Sequence, residues 1–169
     1  TVSQEKSLYD AVVALERAQA DYLQRPGVLA YPHRALLVLD GGGEVVGKLS
    51  QFDVLRALEP KYAQVLDSDE QSSMTRTGFS NEFLRGMLEQ YGLFDKPLAD
   101  LCRKAAGIRV RDAMYKPSGG EVVGEEDTLE VAVHQLVVGR HQSLLVVRGD
   151  AIVGIIRLVD VFREVCKSM

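Results

Sequence analysis

One short pattern occurs twice in this sequence, and this duplication constrains the fold more than any other feature. The run from His33 to Leu58 aligns with the run from His141 to Val165 once a short gap is allowed in the central turn. Internal repeats mark duplicated structural units, so both copies should fold in the same way. The matched pairs are His33 with His141, Leu36 with Leu144, Gly47 with Gly154, and Asp53 with Asp160.

Each copy is preceded by an apolar stripe with the spacing of a one-sided helix. The stripes begin at Leu8 and Leu129. Both also have the residue spacing of a capping box at the helix start, which predicts where each helix begins. The predicted capping pairs are Ser7 with Asp10 and Asp127 with Glu130.

Within each copy, two short apolar runs are separated by a turn that contains glycine, which predicts a hairpin of buried strands. A second helical stripe follows, carried by residues 54, 55 and 58 in one copy and 161, 162 and 165 in the other. A short leading strand adds Val2 to the first copy and residues 121–123 to the second. Each unit is therefore predicted to have the order β-α-β-β-α.

The stretch between the copies is too long for a simple connection, so it should contain structure of its own. Ser80 and Gly92 bracket one helical stripe, and Pro97 and Gly107 bracket another. The predicted division is a first repeat at residues 1–60, a helical insert at 61–107 and a second repeat at 108–169.

The composition excludes several classes of protein. A net charge of −4 and the lack of a basic stripe argue against binding to nucleic acid. No apolar run approaches the length of a membrane span, and the start does not resemble a signal peptide, so a cytoplasmic location is expected. Cys102 and Cys166 lie far apart in sequence and are expected to be reduced and buried, with no metal site.

The repeated pattern of an apolar strand, glycine, and aspartate at a helix start resembles the CBS domain. Two copies in tandem resemble a Bateman module, and the residues RVRDAM before the second copy are similar to the segment that often leads into such repeats. The resemblance implies an α/β (α+β) fold of two units related by a pseudo-two-fold axis, with packed sheets. It also implies two clefts, which hold adenosine compounds in many members.

Ser50 and Asp53 match the ligand motif of the family. Ser50 would donate its hydroxyl to phosphate, and Asp53 would accept hydrogen bonds from a ribose diol. The turn after Gly47 would offer backbone N–H groups at a helix start to phosphate. The same two residues also have the spacing of a capping box, which needs no ligand. Both interpretations remain open at the level of sequence.

The second copy keeps Asp160 but has Arg157 in place of the serine. An arginine at this position either contacts phosphate directly or fills the cleft by pairing with Asp160. The sequence leaves both alternatives open. It therefore predicts at most one well-formed site of the usual kind.

Basic residues at the start of the middle strand are further candidates for phosphate binding. They are His33 and Arg34 in the first copy and Arg140 and His141 in the second. Each histidine has the alternative of being an ordinary surface or core residue. Lys48, on a strand between apolar residues, either lines the cleft or points to solvent.

These features predict a regulatory sensor that binds AMP, ADP, ATP or S-adenosylmethionine and requires no cofactor. Catalysis is not expected, because no nucleophile lies in an activating context and no phosphate-loop sequence is present. The expected partners are the adenosine ligand, a second copy in a homodimer, and a regulated enzyme or transporter domain. The alternative is a dimerisation or protein-interaction module whose clefts bind no ligand.

Overall fold

The computed structural model describes residues 1–23, 34–62, 80–117 and 119–169. These residues form a mixed α/β fold with two three-stranded sheets. The first repeat contains β1 (Val2–Ser3), α1 (Leu8–Leu23), β2 (Ala35–Leu39), β3 (Val45–Ser50) and α2 (Gln51–Leu58). The second contains β4 (Val122–Gly124), α6 (Leu129–Gly139), β5 (Ser143–Arg148), β6 (Ala151–Arg157) and α7 (Leu158–Ser168). The predicted β-α-β-β-α order is therefore confirmed in both repeats.

Three helices lie between the repeats in the part of this connection that the structure describes. They are α3 (Asn81–Gln90), α4 (Leu98–Ala106) and α5 (Val110–Ala113), followed by a 3-10 turn (Gly119–Glu121). The predicted capping of α3 by Ser80 is confirmed, since the Ser80 hydroxyl accepts a hydrogen bond from the backbone of Phe83 at 3.1 Å. Among the described residues, no helix combines the length and apolar character needed to cross a bilayer.

The two sheets have equivalent register. In the first, β1 pairs in parallel with β2, and Val2 lies opposite Val38. In the second, β4 pairs in parallel with β5, and Val123 lies opposite Val146. The hairpins β2–β3 and β5–β6 are antiparallel, and each has an irregularity at the same point of its first strand. Val2 of β1 therefore corresponds to Val123 of β4. The same difference in residue number matches Leu8, the first residue of α1, with Leu129, the first residue of α6.

One face of each sheet packs against its own helices. Leu36 and Leu49 lie opposite each other in the first sheet and belong to the core with α1. Leu144 is fully buried in the same way against α6 and α7. Leu145, the next residue along the strand, points to the opposite face and is also fully buried. Since β3 contacts β6, the two sheets cover each other on this side.

The segment that leads into the second repeat packs on the first. We call residues 108–115 the lead-in segment. Val110 and Met114 of this segment belong to the core of the first repeat, together with Ala105 of α4. The lead-in segment ends on an antiparallel bridge between Tyr115 and Lys48 of β3. The insert therefore completes the first repeat as well as connecting the two.

One of the two predicted capping boxes is wrong. Ser7 and Asp10 form the predicted box, with hydrogen bonds of 3.3 and 3.1 Å. At α6, however, the N-cap is Thr128. The carboxylate of Asp127 instead accepts a hydrogen bond from the backbone N–H of Gly124 at 2.7 Å, which tightens the turn before the helix. The sequence spacing placed the cap one residue too early.

The buried positions also differ from expectation in two respects. Cys102 and Cys166 are free thiols on exposed positions, so the prediction that they are buried is wrong. Leu55 and Phe162, which the helical stripes assigned to the core, are 63% and 61% exposed. Helix α7 buries Val161, and α2 buries Asp53 with Val54 half-buried, whereas nothing in the described chain covers the opposite face of either helix.

Candidate ligand-binding site

The start of α2 brings Ser50 and Asp53 together. Ser50 is the N-cap residue, and its hydroxyl accepts a hydrogen bond from the backbone N–H of Asp53 at 3.2 Å. The Asp53 carboxylate accepts hydrogen bonds from the backbone N–H and the hydroxyl of Ser50, at 2.8 and 2.5 Å. One turn later, Nη2 of Arg56 lies 3.4 Å from the same carboxylate. The capping box that the sequence allowed is thus present.

Burial explains why Asp53 needs these partners. Its side chain is only 5% exposed, and a carboxylate away from water is costly unless it is hydrogen-bonded. Ser50 and Arg56 supply the bonds without a ligand. A ribose diol could reach this carboxylate only by taking the place of the Ser50 hydroxyl. The ligand role of Asp53 therefore remains a prediction.

Arg34 lies beside the same helix start. Its backbone carbonyl accepts a hydrogen bond from the N–H of Gln51 at 2.9 Å, and its side chain is exposed. Since the N–H groups of Gln51 and Asp53 are both bonded within the protein, little of the anion-binding capacity of this helix start remains. Phosphate binding here would depend mainly on the Arg34 guanidinium. The other predicted cation, His33, lies outside the described residues.

Gly47 has a packing role in the structure. A Cβ atom at this position would lie 2.7 Å from the carbonyl oxygen of Tyr115. The close approach is fixed by two backbone hydrogen bonds between Lys48 and Tyr115, of 2.8 and 3.1 Å. The backbone for which Gly47 makes room is thus that of the lead-in segment, and the predicted approach of a phosphate remains untested.

In the second repeat, Arg157 occupies the N-cap position of α7, equivalent to Ser50. Its Nε and Nη2 donate hydrogen bonds to Asp160 at 2.6 and 2.7 Å. This bidentate contact lowers the pKa of the Asp160 carboxyl below its ordinary value, because it stabilises the charged form. Of the two alternatives for Arg157, pairing with Asp160 is the one present in the structure.

The Arg157–Asp160 pair also joins the two repeats. The guanidinium carbon of Arg157 lies 6.0 Å from the centre of the Tyr22 ring, which belongs to α1 of the first repeat. A hydrogen bond to Tyr22 contributes to raising the pKa of Arg157, after the larger effect of Asp160. Arg163 places a second cation 3.6 Å from Asp160. Arg157 is thus held between Asp160 of its own repeat and Tyr22 of the other.

A third group of charged residues lies between the repeats. Glu121, next to β4, is 3.8 Å from the ammonium of Lys48 and 3.1 Å from Nδ1 of His141. The ammonium of Lys48 also lies 5.3 Å from the centre of the Tyr115 ring. The side chains of Lys48, Glu121 and His141 are 12%, 10% and 22% exposed. Lys48 and His141 therefore lie beside a carboxylate of the second repeat, and most of each side chain is removed from solvent.

Gly139 leaves the space that the His141 ring occupies. A methyl group at position 139 would overlap the His141 ring, so the ring occupies the space that any larger residue would fill. Arg140, between them, ends α6 in the left-handed conformation with φ 52°, and its side chain is exposed. This backbone reversal directs His141 towards Glu121 and leaves Arg140 at the surface.

The sequence did not single out Glu121, Tyr115 or Tyr22 as site residues. Each contacts a partner in the other repeat, far away along the chain. Local spacing carries no record of such contacts. The only available signal was the duplication itself, which places β3 and β6 at equivalent positions in two units that must pack together.

A family model of the CBS domain matches residues 110–167. A comparison of the sequence with curated proteins gives no match. Solved structures of similar fold include a CBS-domain containing protein from Agrobacterium tumefaciens, with TM-score 0.57 and 16% identity, covering 96% of this chain and 81% of that one. Another is a CBS domain-containing protein of unknown function from Kribbella flavida, with TM-score 0.54 and 23% identity, covering 98% and 90%.

A third similar structure is that of CBSX2 in complex with AMP. It has a TM-score of 0.56 and 20% identity, and the alignment covers 99% of this chain and 87% of CBSX2. At these identities the solved structures show the fold alone. The family model identifies the second repeat, at residues 110–167, from its sequence. The second repeat is therefore a CBS domain, and the chain has the fold of solved CBS-domain structures over nearly its whole length.

Proposed function

We propose that this chain is a regulatory module that senses an adenosine nucleotide in the cleft beside Ser50 and Asp53. The observation that carries the proposal is the buried Asp53 carboxylate at the start of α2, with the exposed Arg34 side chain next to it. The CBS domain match and the similarity to CBSX2, a protein solved with AMP, support it. No catalytic step is part of the proposal.

The capping box would then be the resting state of the site. When a ribose diol binds, its hydroxyl groups replace the Ser50 hydroxyl on the Asp53 carboxylate. The released hydroxyl of Ser50 becomes available to phosphate, with the Arg34 guanidinium as the cation. The Asp53 carboxylate loses the hydrogen bond from the Ser50 hydroxyl and gains those of the diol, so it is hydrogen-bonded in both states.

We propose that the second cleft stays closed. Arg157 occupies both oxygens of Asp160, and Tyr22 lies against its guanidinium. Opening this cleft would separate a bidentate pair that is partly removed from water, which costs more than exchanging one neutral hydroxyl. The expected stoichiometry is one nucleotide per chain.

Calorimetric titration with AMP, ADP, ATP and S-adenosylmethionine tests the proposal. The unmodified chain should bind at least one of these ligands with a stoichiometry near one. Asp53→Asn should weaken binding about tenfold or more, because it removes a charged acceptor of the ribose. Asp160→Asn is the matched control at the equivalent position and should bind as the unmodified chain does. Absence of heat with all four ligands at millimolar concentration would refute the proposal.

A second candidate is a homodimer that acts without a ligand. Its support is the pair of exposed apolar side chains at equivalent positions, Leu55 on α2 and Phe162 on α7, at 63% and 61% exposure. Large exposed apolar groups in both repeats favour burial against another surface. Light scattering should give the mass of a dimer, and Leu55→Glu with Phe162→Glu should give that of a monomer. A dimer unaffected by these substitutions would exclude this surface.

We also propose the division of the chain into a first repeat at residues 1–60, an insert at 61–107 and a second repeat at 108–169. Packing does not follow it strictly, because the lead-in segment at residues 108–115 contributes Val110 and Met114 to the core of the first repeat. An enzyme or transporter domain is proposed as the regulated partner.

A further inference from the structure

In both repeats, an arginine lies three residues after the aspartate at the start of the second helix. In the first repeat, Nη2 of Arg56 is 3.4 Å from Oδ1 of Asp53. In the second repeat, Nη2 of Arg163 is 3.6 Å from Oδ1 of Asp160. Residues three apart lie on one face of a helix, so each arginine reaches back to the first turn. The same pair of a carboxylate and a guanidinium is therefore present twice, although the N-cap residues of the two helices differ.

The two oxygens of the Asp53 carboxylate have different partners. Oδ2 accepts hydrogen bonds from the backbone N–H and the hydroxyl of Ser50, at 2.8 and 2.5 Å. Oδ1 accepts a longer hydrogen bond, of 3.4 Å, from Nη2 of Arg56. Replacement of the Ser50 hydroxyl by a ribose hydroxyl takes place at Oδ2 and leaves the contact at Oδ1 in place. Arg56 can therefore stay with the carboxylate throughout the exchange.

Burial makes a charged partner important for Asp53. Its side chain is 5% exposed, and an ionised carboxylate away from water is costly unless it is paired and hydrogen-bonded. Neither the Ser50 hydroxyl nor a ribose diol carries a charge, whereas the guanidinium of Arg56 does. Because the Arg56 side chain is 38% exposed, water screens part of the attraction, and the expected effect on binding is moderate.

The second repeat provides an internal comparison, because its N-cap residue is itself a cation. Arg157 donates hydrogen bonds to both oxygens of Asp160, at 2.6 and 2.7 Å. This contact is the main cause of the lowered pKa of Asp160, and the charge of Arg163 is the smallest cause. Arg163 thus adds little to a carboxylate that is already paired. Arg56 has no such competitor at the N-cap of its own helix.

We propose that Arg56 is a positioning residue of the nucleotide site. It holds Oδ1 of Asp53 and compensates its charge, so the carboxylate stays ionised and keeps its orientation while ribose replaces the Ser50 hydroxyl at Oδ2. This inference rests on the nucleotide site proposed above. An ionised carboxylate only accepts hydrogen bonds, which matches the two hydroxyl donors of a ribose diol. Arg56 therefore sets how strongly the site prefers a ribonucleotide to a 2′-deoxyribonucleotide.

Calorimetric titration with AMP and 2′-deoxyAMP measures this preference. Arg56→Gln should weaken AMP binding about fivefold and 2′-deoxyAMP binding less, so that the preference for AMP shrinks. Arg56→Lys keeps the charge and should recover most of the AMP affinity. Arg163→Gln is the matched control at the equivalent position and should bind both nucleotides as the unmodified chain does. Thermal unfolding of each variant verifies that it is folded at the temperature of the titration.

A double-mutant cycle separates positioning from a purely structural role. If Arg56 acts through the Asp53 carboxylate, adding Arg56→Gln to Asp53→Asn should change AMP affinity by less than about twofold. An equal loss in both backgrounds would overturn the proposal. So would an unchanged preference for AMP in Arg56→Gln, or a failure of Arg56→Lys to recover affinity. If the unmodified chain does not bind AMP, the inference is wrong. The proposed function fails with it only if ADP, ATP and S-adenosylmethionine also do not bind.

Discussion

Replacing Gly47 by alanine would place a methyl group 2.7 Å from the carbonyl oxygen of Tyr115 and 3.3 Å from the sulfur of Met114. The first of these neighbours is a backbone atom, so the overlap cannot be relieved by turning a side chain. The lead-in segment must move away from β3, and the two backbone hydrogen bonds between Lys48 and Tyr115 are broken. We therefore expect the substitution to destabilise the fold at the junction of the two repeats.

The size of the effect follows from the two broken hydrogen bonds and from the steric overlap. Each hydrogen bond contributes about 1 kcal/mol net, and overpacking costs about 1–3 kcal/mol. The lower entropy of the unfolded alanine chain offsets about 0.4–1 kcal/mol. The free energy of unfolding should thus fall by about 2–5 kcal/mol. For a chain of this size that lowers the midpoint of thermal unfolding by about 5–15 °C.

The second repeat provides the control. At Gly154, the equivalent glycine, the nearest atom to an added Cβ is Cβ of Val146 at 3.7 Å, an ordinary contact. Gly154→Ala should therefore change the unfolding free energy by less than about 1 kcal/mol, with a gain expected from the unfolded state. Circular dichroism followed during thermal and urea unfolding measures both variants. Equal stability of the two would refute the assignment of Gly47 to the lead-in contact.

Gly139→Ala should move the His141 ring off its site, since the new methyl group overlaps it, and the chemical shifts of the ring should change in NMR spectra while the fold persists. The lowered pKa of Asp160 means that its charge stabilises the folded state above the ordinary carboxyl range. This contribution is lost as the pH falls through the folded pKa, so Asp160→Asn should show a smaller loss of stability in acid; identical urea midpoints at each pH would contradict this. Both cysteines should react promptly with a thiol reagent in the folded chain, and slow labelling of either would count against their exposure.

Local features of the fold could be predicted because their causes lie within a few residues. Ser7 and Asp10 are three positions apart, so their capping box depends only on the start of one helix. The hairpin turn after β2 likewise needs Gly43, whose φ of 89° few other residues adopt. The same reasoning failed at Asp127, because α6 begins one residue later, with Thr128 at its N-cap, and the Asp127 carboxylate accepts a hydrogen bond from the backbone of Gly124 instead.

Only part of the candidate site could be predicted from the sequence in this way. Ser50 with Asp53 and Arg157 with Asp160 are neighbours on one helical turn, and the sequence identified both pairs. It could not decide between the alternatives for each pair, since burial of Asp53 and the position of Tyr22 beside Arg157 depend on packing. The sequence also could not predict which helix faces are exposed, because an apolar stripe looks the same whether or not another element covers it.

The sequence by itself determined the duplicated unit, its strand and helix order, and the capping pairs at the starts of α1 and α2, since periodicity and turn chemistry act over short distances. Tertiary structure alone decided which side chains meet across the repeats. Glu121 contacts Lys48 and His141, and Gly47 accommodates Tyr115, only because two sheets and a lead-in segment converge. Such contacts depend on how distant surfaces fit together, and no local pattern encodes that fit.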